Sequence, residues 1–161
     1  MIMGCVNEKK CHECSSETGK KSFTEVNLAL DCIRDSLNPN YNHVEFPQNL
    51  YEYPQFNDMV NDICASEGQL VKIILNDTST IKKEISLLVL HHLCINSYLP
   101  LLERLYSGYK RGKLEKKYFI YSMYTRLSNA VVKDYENRNL KNFIDLLLMD
   151  SDVATFVWRQ K

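Results

Sequence analysis

Glycine occurs five times in the 161 residues, at positions 4, 19, 68, 108 and 112, and proline four times, at 39, 47, 54 and 100. Together they reach roughly half of an average usage of about 12%. A β-sandwich or a Rossmann domain needs more turn glycines than this, so the chain is driven towards helices. The same scarcity removes whole classes of chemistry. Neither G-x-G-x-x-G nor the phosphate-cradling G-x-x-x-x-G-K can be written anywhere in the chain, which excludes motif-built dinucleotide and nucleoside triphosphate sites. Gly108 and Gly112 do stand four apart, but Tyr109, Lys110 and Arg111 between them mark a helix end facing water rather than a membrane.

Periodicity supports the helical reading, and 45% hydrophobic residues suffice for a core in one domain. Residues 1–21 have almost no apolar period and read as a disordered, cysteine-containing N-terminal arm; residues 22–161 read as the folded domain. Ser22-Phe23-Thr24-Glu25 is a capping box that opens a helix with Val26, Ala29, Leu30, Ile33 and Leu37 on one face. The segment from Tyr41 to Tyr53 reads as a long ordered loop. Pro54 suits a first helical turn, with Phe56, Met59, Val60, Ile63 and Cys64 inward, and Gly68 is expected to end that helix. Leu70 to Leu75 reads as one or two helical turns or as the sole strand candidate. Residues 76–80 supply a turn and an N-cap for a helix through His92, apolar nearly all round and therefore central.

Ser97 is expected to cap the next helix, with Pro100 in its first turn and Gly112 past its end. Further helices are expected over 115–135 and through Leu140, Phe143, Ile144 and Leu147, with a short turn or helix from Ser151 to Trp158. The predicted fold class is all-α, a single compact domain of about six to eight mostly antiparallel helices, arranged as a bundle or as HEAT-like helix pairs.

The longest apolar stretch, Ile85 to Leu90, is far shorter than the roughly 18 residues of a membrane span. Ile2-Met3-Gly4-Cys5 reads like the end of a lipobox, which makes Cys5 the candidate lipidation site of a periplasmic lipoprotein if a signal peptide lies upstream. The sequence as given otherwise favours the cytoplasm. Cys32, Cys64 and Cys94 stand at or beside apolar helical positions and read as buried thiols; in an oxidising compartment Cys32 and Cys64 would be the pair to form a disulfide. Cys11-His12-Glu13-Cys14 has the spacing with which two thiolates reach one tetrahedral metal, so Cys11, Cys14 and His12 are weak metal candidates. No second ligand pair follows downstream, and no metal or other cofactor is expected.

No catalytic constellation is legible, and the protein is read as a non-enzyme. His91 and His92 lie about 100° apart on a helix and cannot readily share one metal. His92 reads as half-buried, with a satisfied ring nitrogen. Ser107-Gly108-Tyr109-Lys110 matches S-x-x-K without that pattern's other motifs.

Lys plus Arg and Asp plus Glu number 20 each, so any charged partner must meet a local patch rather than a whole-chain field. Two patches exist. Arg104, Lys110, Arg111, Lys113, Lys116, Lys117 and Arg126 against Glu103 and Glu115 give a net of +5, interleaved with tyrosines. From His43 to Glu84, seven carboxylates against three lysines give a net of −4, beside Tyr41, Phe46, Tyr51 and Tyr53. Rings supply buried area and carboxylates supply steering, so Glu45, Tyr51, Glu52, Tyr53 and Asp58 are the expected partner-binding residues for a basic protein.

The leading functional expectation is therefore a bacterial immunity or inhibitor-type protein that docks a toxin-like partner. The alternatives are a nucleic-acid-binding or regulatory module using the basic 104–126 stretch, and a lipid-anchored periplasmic protein of unassigned role. Nucleic acid is not the expected partner, and a membrane is expected only if Cys5 is lipidated.

Overall fold

The computed structural model describes residues 11–14, 19–37, 50–120, 122 and 138–150. Helix α1 (Phe23–Ser36) starts where its capping residues require. The Ser22 hydroxyl oxygen accepts from the Glu25 amide at 3.2 Å, and the hydroxyl donates to the Glu25 carboxylate at 3.4 Å. Val26, Leu30 and Ile33 form its buried stripe. A 3-10 turn (Leu50–Glu52) leads into α2 (Pro54–Asn61), whose proline sits in the first turn.

The chain then breaks at Asp62 and resumes as α3 (Ile63–Asn76), which runs straight through Gly68. The expected stop there does not occur. Gly68 lacks the positive φ that a terminating glycine adopts, and Leu70, Val71, Ile73 and Ile74 carry the helical period on into the core. The strand alternative for residues 70–75 is excluded by the same observation.

Ser79 caps α4 (Thr80–Leu90) by accepting from the Lys82 amide at 3.3 Å. Helix α5 (Ile95–Lys110) begins one turn earlier than expected: Cys94 stands at its N-cap, and Ser97 and Pro100 lie inside it. Gly112, with φ of 75°, turns the chain after α5, and the Lys113 and Leu114 amides both donate to the Gly108 carbonyl. Residues 116–120 and 122 are helical, and the rest of the helix expected to residue 135 lies outside the described residues, as do the Tyr41 to Asn49 part of the loop and Ser151 to Trp158. Helix α6 (Arg138–Leu148) follows.

The fold is all-α. Among the described residues there are six helices of eight residues or more, and no strand. Helix α4 is central, packing on α1, α2 and α3, while α5 packs on α3 and α6. Ile85, Leu87, Val89 and Leu90 are buried, but so are Lys82 and Ser86 on the same helix. The Lys82 ammonium is 2.9 Å from Asp31 Oδ1, 3.1 Å from Asp77 Oδ2 and 2.5 Å from Asn27 Oδ1, tying α1, the α3–α4 turn and α4 together. A buried charge is tolerable only when matched in this way.

Candidate functional site

The N-terminal arm is where the sequence expectation needs most correction. Cys11 is disulfide-bonded to Cys94, and Cys14 to Cys64. Between the two bridges the arm pairs with the α4–α5 junction: the His12 amide donates to the His92 carbonyl at 2.9 Å, and the Cys94 amide donates to the His12 carbonyl at 2.8 Å. The Cys14 amide donates to Ser97 Oγ at 3.0 Å, which is the role of that serine inside α5. Further along, the Lys21 amide donates to the Ala65 carbonyl and Lys20 Nζ donates to the Cys64 carbonyl.

Residues 11–14 and 19–21 are therefore fastened to α3 and α5 rather than loose. Cys64 pairs with Cys14 and not with Cys32, Cys64 and Cys94 are not free buried thiols, and Cys32 is a free cysteine exposed on α1. The metal candidates lapse for a chemical reason. Cys11 and Cys14 are oxidised and bonded to different helices, so neither offers a thiolate beside His12. Among the described residues no cluster of three or more His, Cys, Asp or Glu side chains is arranged to hold a metal ion. Cys5 lies outside them.

Of the expected partner-binding residues, Glu45 also lies outside the described residues. Tyr51, Glu52 and Asp58 are exposed, whereas Tyr53 is half-buried, sits at the N-cap of α2 and packs against the core. Tyr51 is 47% exposed and nevertheless fixed. Its ring meets Phe56 edge-on at 5.2 Å and His92 at 5.9 Å. Its hydroxyl lies 2.9 Å from His92 Nε2, while His92 Nδ1 lies 3.1 Å from the Leu88 carbonyl.

A carbonyl can only accept, so Nδ1 carries the proton, and in the neutral ring Nε2 accepts from the tyrosine hydroxyl. His92 is half-buried with both ring nitrogens engaged. Asn57 Nδ2 donates to the Tyr51 carbonyl at 2.6 Å, which draws the 3-10 turn onto the start of α2 next to Asp58. The arm reaches the same place, because the His92 carbonyl is its first anchor. Sequence reasoning singled out Tyr51 but missed that His92 holds it; 41 residues separate them, and no local pattern signals the pairing.

The basic stretch is differently built. Arg104, Lys110, Arg111, Lys113, Lys116 and Lys117 are exposed, but the rings among them face inward. Tyr109 stacks on Phe119 at 5.4 Å and 2°, Tyr106 contacts Phe119 and Phe143, and Tyr118 is buried with Lys83 and Lys117 over its ring. Lys110 is bound to the buried carboxylate of Asp150 at 2.8 Å, and Tyr106 donates to the same oxygen at 3.3 Å. Arg126, Tyr121 and Tyr124 lie outside the described residues.

No described helix is long and apolar enough to cross a membrane. Fold and surface together define a class: an all-α domain whose N-terminal arm is bound to it by two disulfides. Comparison with protein-family models, with curated proteins and with solved structures finds no match.

Proposed function

We propose that this is a non-catalytic helical protein that works by binding another protein, of the immunity or inhibitor type, with Tyr51 at the centre of the contact surface. The observation that carries the reading is the fixed exposure of Tyr51. A large ring left half in water, yet held on its edge by Phe56 and at its hydroxyl by His92, has already lost the freedom that binding would remove. Rigid tyrosines of this kind supply contact area at low entropic cost and recur as binding anchors. The exposed Glu52 and Asp58 are placed to form an acidic rim, which favours a basic partner. Tyr53, packed on the core, supports the turn rather than touching the partner.

The two disulfides support a setting as well. Such bonds persist in oxidising compartments, so the protein is proposed to act in a periplasm or outside the cell rather than in the cytoplasm. Lipidation at Cys5 fits that setting and remains a proposal.

The test is affinity capture from an extract of the source cells on immobilised wild-type protein and, in parallel, on Tyr51→Ala. A partner retained only by the wild type is expected, with Tyr51→Ala raising its dissociation rate by a factor equivalent to about 2 kcal/mol. Glu52→Lys with Asp58→Lys should slow association and flatten its salt dependence. A specific partner held equally well by all three proteins refutes the assignment of this surface.

A further inference from the structure

A second feature, independent of the Tyr51 surface, lies where the fastened arm meets α3 and α5. A half-open cavity of about 280 Å³ is lined by Lys20 from the arm, Glu67, Gly68, Gln69 and Lys72 from α3, and Arg104 from α5. Three cations from three separate elements converge on it against one carboxylate. Lys20 is committed to Glu67 at 3.7 Å and to the Cys64 carbonyl at 2.9 Å. Glu67 also feels the charge of Arg104, so three cations share one carboxylate and the cavity keeps a net positive charge.

Its floor is unusual for a helix. Gly68 stands in the middle of α3, where glycine costs about 1 kcal/mol relative to alanine, yet beyond its chain neighbours and the adjoining helix backbone no atom lies within 4 Å of where a Cβ would be. Packing does not demand this glycine; its effect is to leave the floor open. Beside it, Gln69 is oriented by donation from its Nε2 to the Lys21 carbonyl at 3.4 Å, and its buried Oε1 has no hydrogen-bond partner.

We propose that this cavity is a binding site for a small polycarboxylate, its carboxylates held by Arg104 and Lys72 at the mouth over the open floor at Gly68. Arg104 supplies a planar fork of donors suited to a carboxylate, and Lys72 supplies a point charge. The Cys14–Cys64 bridge, one helical turn before Gly68, holds the arm that delivers Lys20 to Glu67 and keeps that carboxylate from repelling the ligand. Burial pushes the Glu67 carboxyl above its ordinary range, while Lys20 and Arg104 oppose that shift.

The experiment is calorimetric titration of the intact, oxidised chain at constant ionic strength with citrate, with tricarballylate, which lacks the hydroxyl, and with inorganic phosphate. Saturable binding of citrate and of tricarballylate is expected, and weaker binding of phosphate. Arg104→Gln and Lys72→Gln should each weaken citrate binding by about tenfold or more, the worth of one charge-assisted contact. Gly68→Met should abolish binding by filling the floor, and its melting temperature should not fall, because methionine is the better helix former. Absence of saturable citrate binding, or citrate binding unchanged by Gly68→Met or by both charge substitutions, overturns the site. Equal affinity for phosphate overturns the ligand class.

Discussion

Replacing Lys82 by methionine tests whether the buried ammonium organises the core. Methionine keeps the volume of the side chain, so little of the effect comes from a cavity. What is lost is the cation shared by Asp31 at 2.9 Å, Asp77 at 3.1 Å and Asn27 at 2.5 Å. Removing one partner of a buried pair costs about 3 to 5 kcal/mol. Here the carboxylates keep some access to water, with side-chain exposures of 28% for Asp31 and 19% for Asp77, so the expected loss is at the lower end, about 3 kcal/mol.

The pH dependence separates this cause from simple mispacking. Burial would raise the Asp77 carboxyl, but the Ser79 amide, Lys82 and Arg34 outweigh it and hold the group below its ordinary value of 3.8. A carboxyl so depressed contributes stability that is present above its unfolded pKa and is lost as pH falls through the lower folded value. Without Lys82 much of that contribution disappears, so the gap between wild type and variant should be widest near neutrality and narrow below about pH 4, where Asp77 protonates in the unfolded chain. Urea unfolding followed by circular dichroism, with the disulfides oxidised, measures both. A loss under about 1 kcal/mol at pH 7, or a loss that does not shrink on acidification, refutes the reasoning.

Three further outcomes are expected. Reducing the Cys11–Cys94 and Cys14–Cys64 bridges, which span separations of 83 and 50 residues, should cost about 4 kcal/mol for each taken alone by loop-closure entropy, lowering the melting temperature by roughly 10 °C or more in a calorimetric scan with and without reductant. The Glu84 carboxyl is pushed up to about 7 by burial, against the opposing charge of Lys117, and its Oε2 has no hydrogen-bond partner. The folded state therefore retains a proton that the unfolded chain releases, and stability should fall as pH rises from about 4.5 to 7; Glu84→Gln should remove that slope and be more stable by about 2 kcal/mol at pH 8, as read from chemical denaturation. Gly68→Ala should raise stability by about 1 kcal/mol, since nothing occupies the space its methyl enters, and a loss on denaturant titration would contradict the open floor.

The helices were legible because their signals are local. Ser22 with Glu25, Pro54, Ser79 and Gly112 all act within one turn of chain, and each does what its type suggests. Gly68 misled because a glycine after an apolar run is a stop signal only if the next residues leave the core, and Leu70, Val71, Ile73 and Ile74 do not. Ser97 misled for a related reason: its type suits a cap, yet Ile95 is buried and draws the helix start back to Cys94, releasing the hydroxyl to the arm. Lys82 lies on a helix read as apolar nearly all round, and its burial depends on aspartates from α1 and the preceding turn, which no period on α4 reports. Composition singled out Tyr51 and Asp58, and both are exposed; the hold of His92 on Tyr51 was not legible.

The arm shows the same limit in its sharpest form. Hydropathy assigns it no packing, because a segment of Lys, Ser, Glu and His has little apolar area with which to offset the entropy of being ordered. Two covalent bonds change that balance. Once Cys11 and Cys14 are tied to α5 and α3, the unfolded ensemble loses much of its freedom, and four backbone amide contacts suffice to place residues 11–14 and 19–21. Both candidate surfaces then depend on the same fastening. The arm's first amide bond is to the carbonyl of His92, whose imidazole fixes Tyr51, and the second bridge lies one turn from the cavity floor at Gly68, with Lys20 following it into the cavity wall. Reduction should therefore weaken partner docking and anion binding together, under conditions where the helices themselves remain folded.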